Sequence, residues 1–348
     1  MTGYGTGGSG SSSAPTSPRV LALLDDRQPN TVDYYRTVGA FDILRQRGYP
    51  VAYLPYGQAR YLAQRNWLDP GRFDIFVMNR ASVGTVDKRL VDFMRIIHES
   101  GKKLIYETDD DYTNEHRRTT EGDAITVAKT CDAVTTTTPY LAKVLRQHNE
   151  HVYVLPNAIN LQLWTGSPKK VAGPVTIGLA GTGTHFEDYK LVKDALFRLA
   201  ETYGDQVRFL LMGYKPYYLE NLPNMEFVEF LPYPEYAKQM ARVDIGLCPL
   251  VPDDPFNLAK SAVKALEYMA AGAAVVAQNM PVYRRAVNQR HNGLLADGNW
   301  YDLIALLVED EILRRRLARN GRRWVKKQRN IHTLAHKWFR VYEEVHKK

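Results

Sequence analysis

Cysteine is scarce: Cys131 and Cys248 are the only two in 348 residues. Two cannot build a disulfide framework or a Cys-rich zinc site, and a reducing, cytoplasmic compartment is the plain expectation. Long apolar runs are missing as well. No stretch reaches the ~18 uninterrupted apolar residues of a membrane helix, so no transmembrane segment is expected. Residues 1–18 have almost no apolar content and lack the charged start and apolar run of a secretory signal. They read as a flexible tail set aside from the fold.

What is present is ordinary for a globular chain: 45% hydrophobic and 24% charged residues. That excludes a mostly disordered or collagen-like protein. At roughly 100–200 residues per domain, the length favours two domains. The net charge of +8 comes from 46 basic and 38 acidic residues. Arg314, Arg315, Arg316, Arg319, Arg322, Arg323, Lys326, Lys327 and Arg329 stand together with no acid among them, enough to account for the surplus. Such a block either faces water or contacts an anionic partner such as nucleic acid or lipid headgroups.

Apolar runs alternate with helical patterns along the chain. Strands are expected at 20–24, 51–54, 74–78, 103–107, 133–137 and 152–155, and helices at 31–47, 86–99 and 140–147. A polar Gly/Ser/Pro/Lys stretch at 166–174 is the best linker. The alternation then restarts, with strands at 175–180, 207–212, 226–231, 245–249, 274–277 and 293–295 and helices at 188–203 and 260–271. Repeated β-α units of this length imply an α/β protein with parallel sheets covered by helices on both faces. Two Rossmann-like domains, at 19–168 and 173–330, would enclose a cleft at the C-terminal ends of their strands.

Several segments carry chemistry. Gly181-Thr182-Gly183-Thr184-His185 follows a strand and opens a helix. Its glycines permit close backbone approach, its threonines offer hydroxyls, and free amides at the helix start attract phosphate. A purely structural turn fits the same residues, and His185 is either a diphosphate contact or a capping histidine. Farther on, Lys260, Lys264 and Glu267 fall within about 60° on one helix. Pro255 and Asn257 are start signals for it and Gly272 a stop. Lysines near a helix start add to its partial positive charge, which disfavours the helix and favours a bound diphosphate. The alternative is a salt-bridged helix face.

This second segment, Asn257 to Gly272, resembles the donor-binding helix of the GT-B glycosyltransferases of the "glycosyl transferases group 1" type, family 4-like. Its companions are similar to that family's too. Ala270-Ala271-Gly272-Ala273-Ala274-Val275-Val276-Ala277 looks like its A-x-G-x-P-V-V-A segment, with Ala274 where proline is usual. Asn292-Gly293-Leu294-Leu295, Val154-Leu155-Pro156-Asn157-Ala158-Ile159 and Asp244-Ile245-Gly246-Leu247-Cys248-Pro249 match in order and spacing. The form is similar to a divergent branch found in phages and bacterial polysaccharide clusters.

The resemblance implies a two-domain GT-B fold whose final helix, within 331–348, crosses back onto the N-terminal domain. It implies transfer of a sugar from a UDP- or GDP-sugar to an acceptor hydroxyl, with retention and without a metal. Glu267 matches the second glutamate of the E-x7-E motif and would hold the ribose. Ala259 stands where the first glutamate should be, and Gly181–His185 occupies the place of the usual Arg/Lys pair. Gly181, Thr182, Gly183, Thr184, Lys260, Ser261 and Lys264 would then meet the diphosphate.

Asp109, Asp110 and Asp111 end a strand of the N-terminal half. Asp109 and Asp110, with His185, are the expected catalytic groups, orienting an acceptor hydroxyl or stabilising charge at the anomeric carbon. The alternative is a strand-end turn capped by aspartate. Arg36 and Arg80 fall at expected cleft edges, where each touches phosphate or acceptor or forms an ordinary ion pair. The acceptor is open: a glycan, a lipid-linked glycan or a hydroxylated DNA base. Three competing readings stand beside this one. They are a metal-dependent transferase using Asp109 and Asp111, a phage-type DNA-modifying transferase gripping DNA through the basic block, and an inactive nucleotide-sugar binding protein. The protein would be cytoplasmic or peripheral to a membrane, with the basic block as the anionic contact.

Overall fold

The computed structural model describes residues 17–24, 31–64, 70–79, 88–113, 121–164 and 173–348. Most of the expected tail, most of the expected linker, and Arg80 lie outside the described residues. Strands β1 (Val20–Leu24), β2 (Val51–Pro55), β3 (Ile75–Asn79), β4 (Lys103–Glu107), β5 (Ala133–Thr136) and β6 (Val152–Val154) form one sheet, ordered β2-β1-β3-β4-β5-β6. Strands β7 (Val175–Ala180), β8 (Val207–Met212), β9 (Met225–Val228), β10 (Ile245–Cys248), β11 (Ala274–Gln278) and β12 (Leu294–Ala296) form a second, ordered β12-β11-β10-β7-β8-β9. Every pairing is parallel. The reason is visible in β1, β3 and β11, which are buried along their whole length. A strand with no polar face must be covered on both sides, which a helical crossover provides. Each strand order reverses beside the domain's first strand, between β1 and β3 and between β7 and β10, so a crevice opens beyond their C-terminal ends.

The helices of the first half are α1 (Thr31–Tyr35), α2 (Thr37–Gln46), α3 (Tyr56–Gln64), α4 (Lys88–Glu99), α5 (Glu121–Thr130) and α6 (Pro139–Leu145). Those of the second are α7 (Phe186–Tyr203), α8 (Tyr233–Met240), α9 (Pro255–Ala259), α10 (Val263–Ala271), α11 (Pro281–Arg284), α12 (Trp300–Glu309) and α13 (Glu311–Gln328), followed by α14 (Ile331–Lys347). Among the described residues, no helix is long and apolar enough to cross a membrane.

Two helices expected to be continuous are broken. The first, at 31–47, is interrupted at Arg36, whose backbone leaves the helical region (φ −119°, ψ −99°). The second, at 260–271, is two helices. Asp254, rather than Asn257, caps α9, its Oδ1 accepting from the Phe256 amide at 2.8 Å, with Pro255 next in the chain. Lys260 is then extended (φ −58°, ψ 161°), and α10 begins only at Val263. Gly272 ends α10 as expected, in the left-handed conformation at φ 79°, which costs glycine nothing.

The chain passes between the two halves twice, and the passages run together. The Ile159 amide donates to the Arg329 carbonyl at 2.7 Å, and the Ile331 amide donates back to Ile159 at 3.0 Å. Beyond Ile159, Trp164 is buried in the core under the second sheet, its Nε1 donating to the Tyr233 hydroxyl at 2.7 Å. Beyond Arg329, Trp338, Phe339 and Tyr342 of α14 are buried with Phe41, Val51 and Ile105 against the first sheet. Each such buried side chain contributes about 1.5–3 kcal/mol, so α14 is held firmly on the opposite half.

Candidate active site

The turn after β7 sits at the reversal point of the second sheet. Its start is fixed by the Gly181 amide, which donates to the Met212 carbonyl at 3.0 Å. A Cβ on Gly181 would lie 2.6 Å from His185 Cδ2 and 2.8 Å from the Tyr189 hydroxyl, so only glycine lets the histidine fold back over the turn. Gly183 is under no such pressure, since a Cβ there would meet only the Tyr214 ring at 3.7 Å. Thr182 and Thr184 are exposed, with their hydroxyls 2.9 Å apart.

His185 is not a surface residue. It stacks on Tyr189, with ring centroids 5.9 Å apart, and its Nδ1 lies 2.9 Å from Asp188 Oδ2. Asp188 is itself buried, and its Oδ1 accepts from the Val251 amide and from Asn257 Nδ2, each at 2.8 Å. Burial would raise the Asp188 pKa, yet these hydrogen bonds outweigh it and hold the carboxyl below its ordinary value. An ionised carboxylate only accepts, so Nδ1 carries the proton and Nε2 of the neutral ring is a bare acceptor. Burial also lowers the His185 pKa, the Asp188 hydrogen bond opposes this, and Lys260 and Lys264 lower it further. The two lysines are therefore within electrostatic reach of the imidazole.

The break between α9 and α10 brings them there. Lys260 lies on the extended residue, its Nζ 4.7 Å from the Phe256 ring. Lys264 lies in the first turn of α10, where Nζ donates to Glu267 Oε2 at 2.9 Å and to the Tyr236 hydroxyl at 3.2 Å. The convergence expected from one helical face is thus produced by a kink. No side chain among the described residues caps the start of α7 or of α10. Two open helix starts and two lysines make a field suited to a bound anion. The Tyr189 hydroxyl, buried beside Gly181 and His185 with no hydrogen-bond partner among the described residues, adds a donor there.

Glu267 is completely buried, with both oxygens engaged: Oε2 by Lys264 and by the Tyr236 hydroxyl at 2.8 Å, and Oε1 by the Tyr35 hydroxyl at 2.5 Å. Tyr35 belongs to α1 of the first half, so this bond crosses between the halves. Two more do the same. Asn157 Nδ2 donates to Ser261 Oγ at 2.9 Å, and Thr138 Oγ1 donates to the Ala259 carbonyl at 3.1 Å. Tyr34 stacks on Tyr233 at 4.6 Å. The lysine-bearing segment therefore lies at the junction.

Of the two readings of Arg36, the structure shows the ion pair, and the side chain is fully buried. Its Nε and Nη2 pair with Glu107 Oε1 at 2.7 and 2.6 Å, while Nη1 donates to the Leu155 carbonyl and, at 3.3 Å, to Asn157 Oδ1. It touches no solvent from which an acceptor or phosphate could approach, and instead orients Asn157 toward Ser261. Burial raises the Glu107 pKa against the pull of Arg36 and of Thr135, whose hydroxyl donates at 2.6 Å.

Asp109 and Asp110 follow β4 on the first sheet, a different half from His185. The Thr137 hydroxyl donates to the Asp109 carbonyl at 3.3 Å, and the Thr108 hydroxyl to the Asp110 carbonyl at 2.9 Å. Asp111 Oδ1 accepts from the Thr113 amide and hydroxyl, and among the described residues no group of three His, Cys, Asp or Glu side chains is placed to hold a metal ion. Sequence reasoning missed Asp188, Tyr35, Tyr189 and Tyr236. Asp188 alone had a legible signal, three residues after His185 in a helical pattern.

Residues 174–310 match the family described as glycosyl transferases group 1. No curated protein sequence matches the chain. HepE of Anabaena, solved with UDP and glucose, superposes with a TM-score of 0.68 at 17% identity, over 94% of this chain and 100% of its own. The sucrose-phosphate synthase of Thermosynechococcus elongatus gives 0.68 at 15% identity over 94% and 98%. An alpha-glucosyltransferase solved with UDP-glucose and DNA containing an abasic site gives 0.70 at 12% identity over 95% and 100%. The two facing parallel sheets are those of the GT-B fold.

Proposed function

We propose, from the premise that this chain is a glycosyltransferase of the GT-B fold whose residues 174–310 form a glycosyl transferases group 1 domain, that it moves a sugar from a UDP-sugar to an acceptor hydroxyl, retaining the anomeric configuration and using no metal. The tie from Asn257 of α9, three residues before Lys260, to Asp188, which holds His185 at the turn after β7, carries this reading. The UDP and UDP-glucose bound by HepE and by the alpha-glucosyltransferase support the choice of nucleotide. The diphosphate lies between the backbone of Gly181–Thr184 and the two lysines, with Ser261 and the Tyr189 hydroxyl beside it. Fixed positive groups aimed at the leaving oxygen stabilise the charge that develops there as the glycosidic bond breaks. They supply the counter-charge a metal would otherwise bring.

The ribose takes the Glu267 Oε1 position that the Tyr35 hydroxyl occupies, which requires the halves to part and close again around the donor. Closure excludes water, so transfer outruns hydrolysis. Asp109 and Asp110 face the acceptor from the first half.

His185 gives the reading a test independent of turnover. Its Nε2 offers no hydrogen to a phosphate until the ring takes a second proton. A diphosphate beside it raises the imidazole pKa from its lowered value. Binding of UDP-glucose should therefore take up a proton, and affinity should rise as pH falls toward the free protein's His185 pKa, below the ordinary imidazole value. Calorimetric titrations in buffers of different ionisation enthalpy measure the uptake. His185→Asn should abolish it. Uptake that persists in the variant would remove His185 from the diphosphate.

A further inference from the structure

The cationic block between Arg314 and Arg329 divides in two once its contacts are known. Four of its members have partners within the protein, Arg315 among them although it is exposed. Arg314 caps the end of α12 through the Leu307 and Val308 carbonyls, and Arg315 pairs with Glu311 at 2.6 Å. Arg322 reaches the Ala270 and Trp164 carbonyls, and Arg329 lies 5.2 Å above the Trp324 ring. The other five, Arg316, Arg319, Arg323, Lys326 and Lys327, are exposed. On α13 they fall within an arc of about 100° and, with Ile312, extend over about 22 Å of helix. Ile312 is in the same arc and is 81% exposed. The acids at that end of the helix are already engaged. Glu309 accepts from the Tyr203 hydroxyl, Asp310 caps the Leu313 amide, and Glu311 holds Arg315.

We infer that this face of α13 docks on an anionic lipid surface. Side-chain chemistry decides between the two polyanions that charge alone would allow. The opposite side of α13 is packed on α10, β11 and α12, so the stripe is a ridge on the protein surface. The stripe also lacks the aromatic and amide side chains that stack on bases or read their edges. A straight ridge of cations ending in an exposed aliphatic side chain matches a flat bilayer face, where lysine and arginine meet headgroups and isoleucine enters the acyl boundary. The proposal does not depend on the transferase reading, and its test does not use activity.

The test is co-sedimentation of the full chain with vesicles of phosphatidylcholine alone and with a third of the lipid replaced by phosphatidylglycerol. Binding is expected only to the anionic vesicles, and weakening as salt rises. Arg316→Glu/Arg319→Glu/Arg323→Glu should reduce it at least ~100-fold, at about fivefold for each cation lost. These side chains have no internal partner among the described residues, so thermal unfolding should be unchanged and UDP-glucose binding retained, which keeps a failure here distinct from a failure of the donor site. Ile312→Ser should weaken vesicle binding several-fold at every salt concentration. Equal binding to neutral vesicles, no binding to anionic ones, or full binding by the triple variant would each overturn the inference. So would displacement of the protein from vesicles by an equal charge concentration of short duplex DNA, which would assign the ridge to nucleic acid.

Discussion

Glu267→Ala should remove the thermal stabilisation that UDP-glucose confers and also lower the stability of the unliganded protein. The carboxylate is buried and accepts from Tyr35, Tyr236 and Lys264. Taking it away leaves the lysine without its partner, and removing one member of a buried pair costs about 3–5 kcal/mol. Lys264 keeps some contact with solvent, which favours the low end. In the wild type, UDP-glucose at ~100 times its dissociation constant should add about 2.7 kcal/mol. The variant should show none of this gain. Glu267→Gln fills the same space but keeps one accepting oxygen and no charge for Lys264, so it should recover only part of the stability while leaving donor binding weak. A ligand-induced shift in Glu267→Ala equal to that of the wild type would take Glu267 out of the donor site.

The architecture was readable because its strands are nearly uniform in character. Runs such as Val20–Leu24 and Val175–Ala180 are apolar on both faces, and only a parallel sheet between helices buries them so. The site was legible at the residues that carry charge in unusual places, Lys260 and Lys264 near a helix start and His185 after a glycine turn. The two helix breaks were not legible, for a common reason. At 260–262 the chain gives up helical hydrogen bonds for the tertiary ones from Thr138 and Asn157, and at Arg36 the guanidinium pairs with Glu107 while the backbone still bonds to Val32 and Ala40. No local pattern announces a partner about 70–120 residues away in the chain. The choice between the two readings of Arg36 was hidden on the same account, since a charged residue in a polar run looks exposed until its buried partner, Glu107, is known. Tyr35 was hidden among 22 tyrosines, distinguished only by contact with the other half.

The second large effect belongs to the lysines. Lys260→Met/Lys264→Met keeps most of the side-chain volume and removes both charges. A hydrogen bond to a charged group contributes about 1.5–3 kcal/mol, so losing two should weaken UDP-glucose by roughly 10²–10⁴-fold. Glu267 retains its bonds from Tyr35 and Tyr236 but loses its cation, so the variant should fold with lowered stability, and Lys260→Met alone, which leaves that pair intact, should weaken donor binding without that loss. The salt dependence of donor binding should flatten at the same time, because fewer charges meet the diphosphate. Calorimetry or competition against a fluorescent UDP analogue reads both. A loss smaller than tenfold would mean that the diphosphate is held elsewhere.

The most direct measurement is a crystal structure of the full chain grown with UDP-glucose. The account predicts the diphosphate over the Gly181–Thr184 turn, within hydrogen-bonding distance of Lys260 and Lys264. It also predicts a ribose hydroxyl on Glu267 and the Tyr35 hydroxyl displaced from it. A nucleotide bound anywhere else, or bound at that turn with Tyr35 still on Glu267 and both lysines turned away, would contradict it.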